Sequence, residues 1–451
     1  MSSKSVQIIG AGLCGSLLAI MLARRGKEVV VYERGSDPRT GEAPVGRSIN
    51  LAMAARGIRA LKRADAFDRV EPLLMPMTGR LIHHEDGSTE LQPYGQRVGE
   101  QIYSVSRVEL NRVLIEEALA TKNVTIRFGH ETVGFYPEEH VLRMRDHAEG
   151  KDFDVRARPA IAADGAGSVI RRAYDGSDRI CPTEDLLEHG YKELEIPPGP
   201  GGEFQLDPGA LHVWPRGGFM LIALPNPEGD FTLTLFLAHD GDVSFASLDT
   251  DDSVVDFFTR HFGDAVPLIP DLPASFRRNP VGVLGTVRCK HWHDGDRMLL
   301  IGDAAHAVVP FHGQGMNLAF EDCAVVDEIL GERDYGWLDV FAKFELAQIA
   351  NADAIADMAL ENYVEMRDTV RDRRYVLQKA LSFELERRLP RRFIPRYSMV
   401  MFHDEIPYAV ARQRGAVQQA LLEEFTQDVD SVEQIDLNAA EAAAVARLEA
   451  L

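Results

Sequence analysis

The chain has 451 residues, 45% hydrophobic and 26% charged, with 70 acidic against 49 basic side chains and a formal net charge of −21. That length requires two to three domains, or one large α/β domain with a substantial insertion. The excess of acid excludes a broad surface for nucleic-acid phosphates, although arginines and backbone N–H groups can still hold an anionic cofactor locally.

The predicted elements begin with a short apolar strand over 6–9, a glycine turn over 10–15, a helix over 17–25 ending before Gly26, and a β-branched strand over 29–32. This is a βαβ unit, and it predicts a parallel sheet. Residues 106–120 have the spacing of an amphipathic helix, with Leu110, Val113, Leu114 and Ala118 on its apolar side. Residues 160–163 read as a buried strand ending in Asp164-Gly165. From 185 to 278 the character changes: a continuous apolar run over 218–224 and an alternating run over 231–236 flank a turn at 225–230. That pattern predicts an antiparallel hairpin in a second sheet. Dinucleotide-domain character returns at 297–303, residues 317–420 are mostly helical, and the acidic, alanine-rich tail beyond Gln427 is a loosely docked helix or disordered.

Three motifs carry chemistry. In Gly10-Ala11-Gly12-Leu13-Cys14-Gly15, Gly10 permits the tight turn, Gly12 lets backbone approach a pyrophosphate and Gly15 packs helix on strand. The helix N-terminus offers N–H donors and a positive dipole end to phosphate, and Glu33, closing the next strand, can accept from ribose hydroxyls. The second motif, Asp164-Gly165-Ala166-Gly167-Ser168-Val169-Ile170-Arg171, follows a buried strand, and its Asp-Gly would be only a turn if it stood alone. The third runs from Gly302-Asp303 through Pro310-Phe311-His312-Gly313-Gln314-Gly315-Met316-Asn317. Asp303 can bond the ribityl hydroxyls of a flavin, and the helix opening at Gly315 would aim N–H groups at the pyrimidine edge of its ring.

In this order the three motifs resemble the aromatic-hydroxylase branch of flavoprotein monooxygenases, the p-hydroxybenzoate hydroxylase-like group. The fold class implied is α/β: a Rossmann-like FAD-binding domain with an inserted antiparallel-sheet substrate domain and a C-terminal helical region. The FAD-binding parts are expected at 1–75, 106–180 and 291–330, and substrate-domain parts at 76–105 and 181–290. A helical region at 331–425 and an acidic tail at 426–451 follow. The resemblance gives Gly10, Gly12, Leu13, Gly15, Glu33, Arg34, Arg47, Arg107, Asp164, Asp303, Gly315, Met316 and Asn317 to the cofactor, with NADPH as reductant.

Further stretches resemble the kynurenine 3-monooxygenase family more specifically. They are residues 46–51, 92–95, 103–107, 212–217 and 309–317, with Glu361-Asn362-Tyr363 and residues 397–400. This resemblance implies that Arg80 and Tyr94, completed by Asn362 and Tyr397, hold the amino-acid carboxylate of L-kynurenine. Met220, Ile222, Leu224, Phe236 and Phe311 would wall the aromatic ring, with His312 beside it. It also implies hydroxylation to 3-hydroxy-L-kynurenine with O2, through a flavin C4a-hydroperoxide. No catalytic side chain is assigned; His312 and Gln314 are the candidates near the flavin. The residues themselves agree in part: Met220, Ile222 and Leu224 share one face of a strand, and an arginine fork suits a carboxylate. Without the resemblance, Met220 and Phe236 read as core and Arg80 as a surface charge. A substituted kynurenine or another anthranilate-like ring fits the same motifs. A catalytically idle FAD-binding interaction protein does not account for Arg80 and Tyr94.

Four cysteines (Cys14, Cys181, Cys289, Cys323) are far apart with no CxxC pair, so neither a disulfide framework nor a metal site is expected. His291-Trp292-His293 lacks a second ligand cluster at zinc spacing and reads as a loop. Cys14 reads as a space-filler and Cys323 as core. Glu384, Glu386, Arg387, Arg388, Arg391 and Arg392 form a mixed charge run on a solvated face. The start has no signal-peptide pattern and no apolar stretch of about 18 residues occurs. A cytoplasmic protein without a stable membrane anchor is therefore expected; the sequence leaves its oligomeric state open.

Overall fold

In the computed structural model, which describes residues 5–40, 50–156, 159–367 and 372–451, the strand Ser5–Ile9 is the centre of a six-stranded sheet. It pairs in parallel with Glu28–Tyr32 on one side and Ala160–Ala162 on the other. Val124–Arg127 and Met298–Leu300 continue the parallel order outward, and His293–Asp294 closes one edge antiparallel. The strand residues Ile8, Val31, Ile161 and Leu299 are fully buried, as expected of parallel strands covered on both faces. Helix Leu13–Arg24 returns the chain between the first two strands, and Gly26, at φ +77°, turns it out of the helix. The predicted helix over 106–120 is Arg107–Ala120, capped by the Ser106 hydroxyl; it buries the four expected residues and Ile115. A separate three-stranded antiparallel sheet is formed by His130–Tyr136, Val141–Asp146 and Lys151–Arg156.

The second sheet has seven strands in the order Gly282–Cys289, Pro182–Ile196, Phe231–Ala238, Met220–Pro225, Ala210–Pro215, Gly79–His83, Thr89–Pro93. The predicted hairpin is present, with Met220 opposite Phe236 and Ile222 opposite Thr234. One pair departs from the antiparallel expectation: Ala210–Pro215 runs parallel to Gly79–His83, because the chain reaches Ala210 by a long excursion and not by a hairpin.

The chain forms two units, one of Met1–Leu74, Val105–Leu187 and Gly285–Ala356, the other of Met75–Ser104, Glu188–Leu284 and Asp357–Leu451. In the second unit, one face of the seven-stranded sheet packs Trp214, Leu221, Ala223, Leu233 and Leu235 against Phe257, Phe258 and Phe276 of two helices, Asp251–His261 and Leu272–Arg278. On this same face His83 stacks on Trp214 at 4.0 Å. His83 Nδ1 lies 2.8 Å from Asp264, and His83 Nε2 lies 2.9 Å from His212 Nδ1. His212 Nε2–H donates to the Asp207 carbonyl at 2.9 Å.

Two expectations are corrected here. The tail is neither loose nor disordered: helix Leu437–Arg447 buries Ala440 and Ala444, with Leu448 beyond it, against Leu381, Leu385 and Leu421. Within the charge run, Glu386 is not solvated. It is 2% exposed, and it accepts from Gln96 at 3.0 Å while pairing with Arg97 at 3.0 Å.

Candidate active site

The dinucleotide cradle is built by the glycine turn. Gly10 has φ +98°, and a Cβ there would sit 2.6 Å from the Ala163 carbonyl oxygen. A Cβ on Gly15 would sit 2.0 Å from the Gly10 carbonyl oxygen, so both positions demand glycine on packing grounds alone. Gly12 differs: a Cβ there meets nothing within 4 Å. It stands at the N-cap of helix Leu13–Arg24, which no side chain caps, so the helix start faces open space with its first N–H groups uncommitted. Glu33 is drawn onto the same turn, accepting from the Ala11 and Gly35 N–H groups, each at 2.7 Å. Arg34 is exposed, as is Arg107 at the start of its helix; Arg47 lies outside the described residues.

The Asp164 loop and the Asp303 turn belong to the same unit. Asp164 accepts from the Val169 N–H at 2.9 Å through one oxygen, while the other is buried with no described donor. Burial raises its pKa, against the hydrogen bonds from residues 168–170. Arg171, 1% exposed, donates to the Ala304 carbonyl at 3.0 Å and also reaches Ala166 and Glu184. It ties the second motif to the third, a role that the sequence reading did not give it. Asp303 is half-buried and bonds no described side chain or backbone group, which leaves its carboxylate for a ligand.

Beyond it, Pro310–His312 is a single 3-10 turn, Gly313 sits at φ +65°, and helix Gly315–Glu332 starts without a side-chain cap. Phe311, His312, Gln314 and Met316 are buried there. The Asn317 side chain is fully used inside the protein: it accepts from Ala54 N–H at 2.9 Å and donates to Ala52 O at 2.8 Å and Gly313 O at 2.9 Å. What remains at 315–317 for a cofactor is backbone N–H. These features fit FAD: an open pyrophosphate cradle, an uncommitted carboxylate at Asp303, an orphaned oxygen at Asp164 and an uncapped helix start.

The polar residues assigned to substrate lie in the second unit. Arg80, on strand Gly79–His83, is 5% exposed and lies on the sheet face opposite the helix-packed one. Its guanidinium stands 5.1 Å from the Tyr397 ring and 5.9 Å from the Tyr94 ring, and those two rings stack at 5.4 Å. Nη1 lies 3.4 Å from Glu365, which also accepts from the Tyr375 hydroxyl at 2.7 Å; the Arg80 Nε has no described partner. Burial opposes the charge, but Tyr397 and Glu365 outweigh it and raise the guanidinium's pKa. Burial likewise pushes Tyr397 up to about 12, against Arg80, and raises Tyr94, so both are neutral phenols able to donate. Lys379, on the neighbouring helix Arg373–Arg388, is held down to about 8 by burial first and then by Arg80.

Asn362, 3% exposed, precedes Glu365 by three positions on helix Trp337–Arg367, and the two share a face. Met220, Ile222 and Leu224 alternate with the core residues Leu221 and Ala223, so they share the Arg80 face, and Phe236 stands opposite Met220 in the register. Phe311 and His312 are in the first unit. Sequence reasoning missed Glu365, Tyr375 and Lys379. The signal was available: a buried arginine needs a counter-charge, and Glu365 is one helical turn past the Asn362 motif.

Two kinds of likeness to known proteins follow this geometry. Residues 3–188 and 250–338 match the FAD binding domain family. Kynurenine 3-monooxygenase of Stenotrophomonas maltophilia (strain K279a) is 46% identical over 452 residues, covering 100% of this chain and 98% of that protein. The chain belongs to the kynurenine 3-monooxygenase family. The relative of the same name from Myxococcus xanthus (strain DK1622) is also 46% identical, covering 97% of this chain and 94% of its own length.

Among solved structures, a tetrameric form of 2-methyl-3-hydroxypyridine-5-carboxylic acid oxygenase superposes with a TM-score of 0.67 at 19% identity, covering 82% of this chain and 94% of that one. P. aeruginosa PqsL in complex with 2-aminobenzoylacetate gives 0.63 at 20%, covering 81% and 96%. At those identities the likeness is one of fold. Among the described residues, no helix is long and apolar enough to cross a membrane. None of them form a group of three or more His, Cys, Asp and Glu side chains that could hold a metal ion; His291 and His293 instead flank Glu345.

Proposed function

We propose that this member of the kynurenine 3-monooxygenase family hydroxylates L-kynurenine to 3-hydroxy-L-kynurenine, with FAD as cofactor, NADPH as reductant and O2 as co-substrate, in the cytoplasm. The observation that carries the substrate assignment is Arg80, a buried guanidinium with an uncommitted Nε beside two stacked, neutral tyrosines. A buried cation with a donor to spare, set in an aromatic frame, suits the carboxylate of an aromatic amino acid. FAD, when bound, supplies the electron transfer and oxygen activation that no side chain can.

The chain's own residues bind and orient. In this reading the Arg80 fork takes the substrate carboxylate, Tyr94 and Tyr397 donate from their hydroxyls, and the Asn362 amide completes the polar end. Met220, Ile222, Leu224 and Phe236 hold the ring by apolar contact and exclude water from it, and Phe311 and His312 are assigned to the ring side on the family resemblance. Fixing one end by charge and the other by shape sets which ring carbon is presented for reaction. No side chain is assigned as nucleophile or general base.

The test is NADPH oxidation by the purified yellow protein with and without L-kynurenine, with 3-hydroxykynurenine and peroxide measured together. The expected result is a rate raised by kynurenine, with product accounting for most of the NADPH used. Slow oxidation, or oxygen leaving as peroxide, would sink plain kynurenine as substrate and turn the search to substituted kynurenines.

A further inference from the structure

The flavin-contact segments of the first unit stand on a buried polar cluster that takes no part in the reading above. Asp322, on helix Gly315–Glu332, has a side chain that is 0% exposed. One of its oxygens accepts from the Gly302 N–H at 3.1 Å and from His306 Nε2–H at 2.6 Å. The other accepts from the Gln348 side-chain amide at 3.1 Å. Gln348 is itself 2% exposed, on helix Trp337–Arg367, and donates to nothing else described. His306 is 4% exposed, with its ring 4.8 Å from that of Trp292.

A carboxylate this deep is costly unless every lone pair it presents is satisfied. Here three donors converge on it, and their positions matter more than their number. Gly302, at φ +60°, is the residue that turns the strand Met298–Leu300 into Asp303. Asp322 lies seven residues along the helix that opens at Gly315. One side chain therefore joins the two segments from which a flavin would be held: the Asp303 carboxylate at the ribityl chain and the N–H groups at 315–317 near the ring. His306 fixes the far end of the four-residue helix that begins with Asp303.

We propose that Asp322, held by His306 and Gln348, is a positioning residue for the flavin, setting the spacing between Asp303 and the helix start at Gly315. The proposal rests on the reading of Asp303 as a ribityl contact. It has an electrostatic consequence as well. Burial opposes a charge on His306, but Asp322 and Asp303 outweigh it and raise its pKa, so the cluster favours a proton on this imidazole that offsets the carboxylate behind Asp303. Removing the imidazole alone leaves an unbalanced negative charge behind the flavin, which disfavours the electron-rich reduced form.

The experiment compares the holoenzyme with Asp303→Asn, Asp322→Asn, His306→Gln and the double variant His306→Gln/Asp322→Asn. Both the dissociation constant for FAD and the midpoint potential of the bound flavin are measured, with far-UV circular dichroism to report folding. Asp303→Asn and Asp322→Asn should each weaken FAD binding tenfold or more. His306→Gln should lower the midpoint potential, and adding Asp322→Asn to it should bring the potential back towards the wild-type value. Loss of packing alone would not produce that return. If Asp322→Asn does not fold, the potential of His306→Gln decides by itself. Should Asp303→Asn lose FAD while the Asp322 and His306 variants keep wild-type affinity and potential, the positioning proposal is overturned. Unchanged FAD binding in Asp303→Asn would instead overturn the reading of Asp303.

Discussion

The Tyr94 and Tyr397 rings lie 5.4 Å apart and 11° from parallel, with the Arg80 guanidinium 5.9 Å and 5.1 Å from their centres. Cation–π attraction helps hold the fork where water is largely excluded, and an ion pair formed there is stronger than one at the surface. Arg80→Ala should raise KM for L-kynurenine by roughly 30-fold or more, about 2 kcal/mol. Arg80→Lys should recover only part of this, because an ammonium cannot match the fork. Tyr397→Phe keeps the stack and should raise KM only several-fold. Steady-state kinetics checks all three, and an Arg80→Ala enzyme with wild-type KM would remove Arg80 from the site.

A pH effect follows from Lys379, whose ammonium is held down to about 8 by burial and by Arg80. In the proposed site two cations attract the substrate carboxylate below that value, and above it Lys379 is neutral. KM should therefore rise as pH increases through about 8. In Lys379→Met the rise should vanish, leaving KM at its higher, alkaline value across the range. A KM profile identical in the variant and the wild type would exclude Lys379 as the cause.

The glycine turn separates folding from cofactor binding. A Cβ at Gly15 runs into the Gly10 carbonyl at 2.0 Å, so Gly15→Ala should cost about 1–3 kcal/mol and lower Tm along with FAD content. At Gly12 a Cβ meets no protein atom within 4 Å but occupies the open side of the helix start. Gly12→Ala should keep Tm of the apoprotein within ~2 °C and still weaken FAD binding at least tenfold, about 1.4 kcal/mol. Thermal melts of apoprotein with flavin titration would separate the two.

Much of the first unit was legible because its demands are local. A tight turn, a phosphate approach and a helix–strand contact each specify glycine at a fixed spacing, so Gly10, Gly12, Gly15 and Glu33 announce themselves. Arg80 could not be found in that way. Its burial depends on Tyr94, Glu365, Tyr375 and Tyr397, which come from distant parts of the chain. No window of sequence shows that an arginine will be surrounded. Alternation gave the shared face of Met220, Ile222 and Leu224, but did not say which face packs on helices; that follows from Phe257, Phe258 and Phe276 arriving later. The tail was misread for a related reason. Its alanines look too small to dock until Leu381, Leu385 and Leu421 supply a surface for them.

Acid stability should depend on His212. Burial chiefly, with the neighbouring His83, lowers its pKa from the ordinary 6.5 to about 4. Its stabilising effect is complete above about pH 6.5 and is lost as pH falls towards 4, because the unfolded chain takes up the proton first. The loss amounts to roughly 3 kcal/mol at about 1.36 kcal/mol per unit. His212→Gln should be less stable at pH 7.5 and should lose less on acidification. Urea melts at pH 7.5 and 5 measure both, and an equal acid loss in the variant would assign the effect elsewhere.

The strand Met220–Pro225 carries two sets of obligations on alternate letters. Leu221 and Ala223 answer to the helices beneath the sheet, whereas Met220, Ile222 and Leu224 are free of that packing. A lineage can therefore exchange residues 220, 222 and 224 one at a time while the sheet stays seated on its helices. In the proposed site, Arg80 meanwhile keeps its hold on any ring that carries an amino-acid tail. Divergence towards new substrates is therefore open there by single-residue steps on that face.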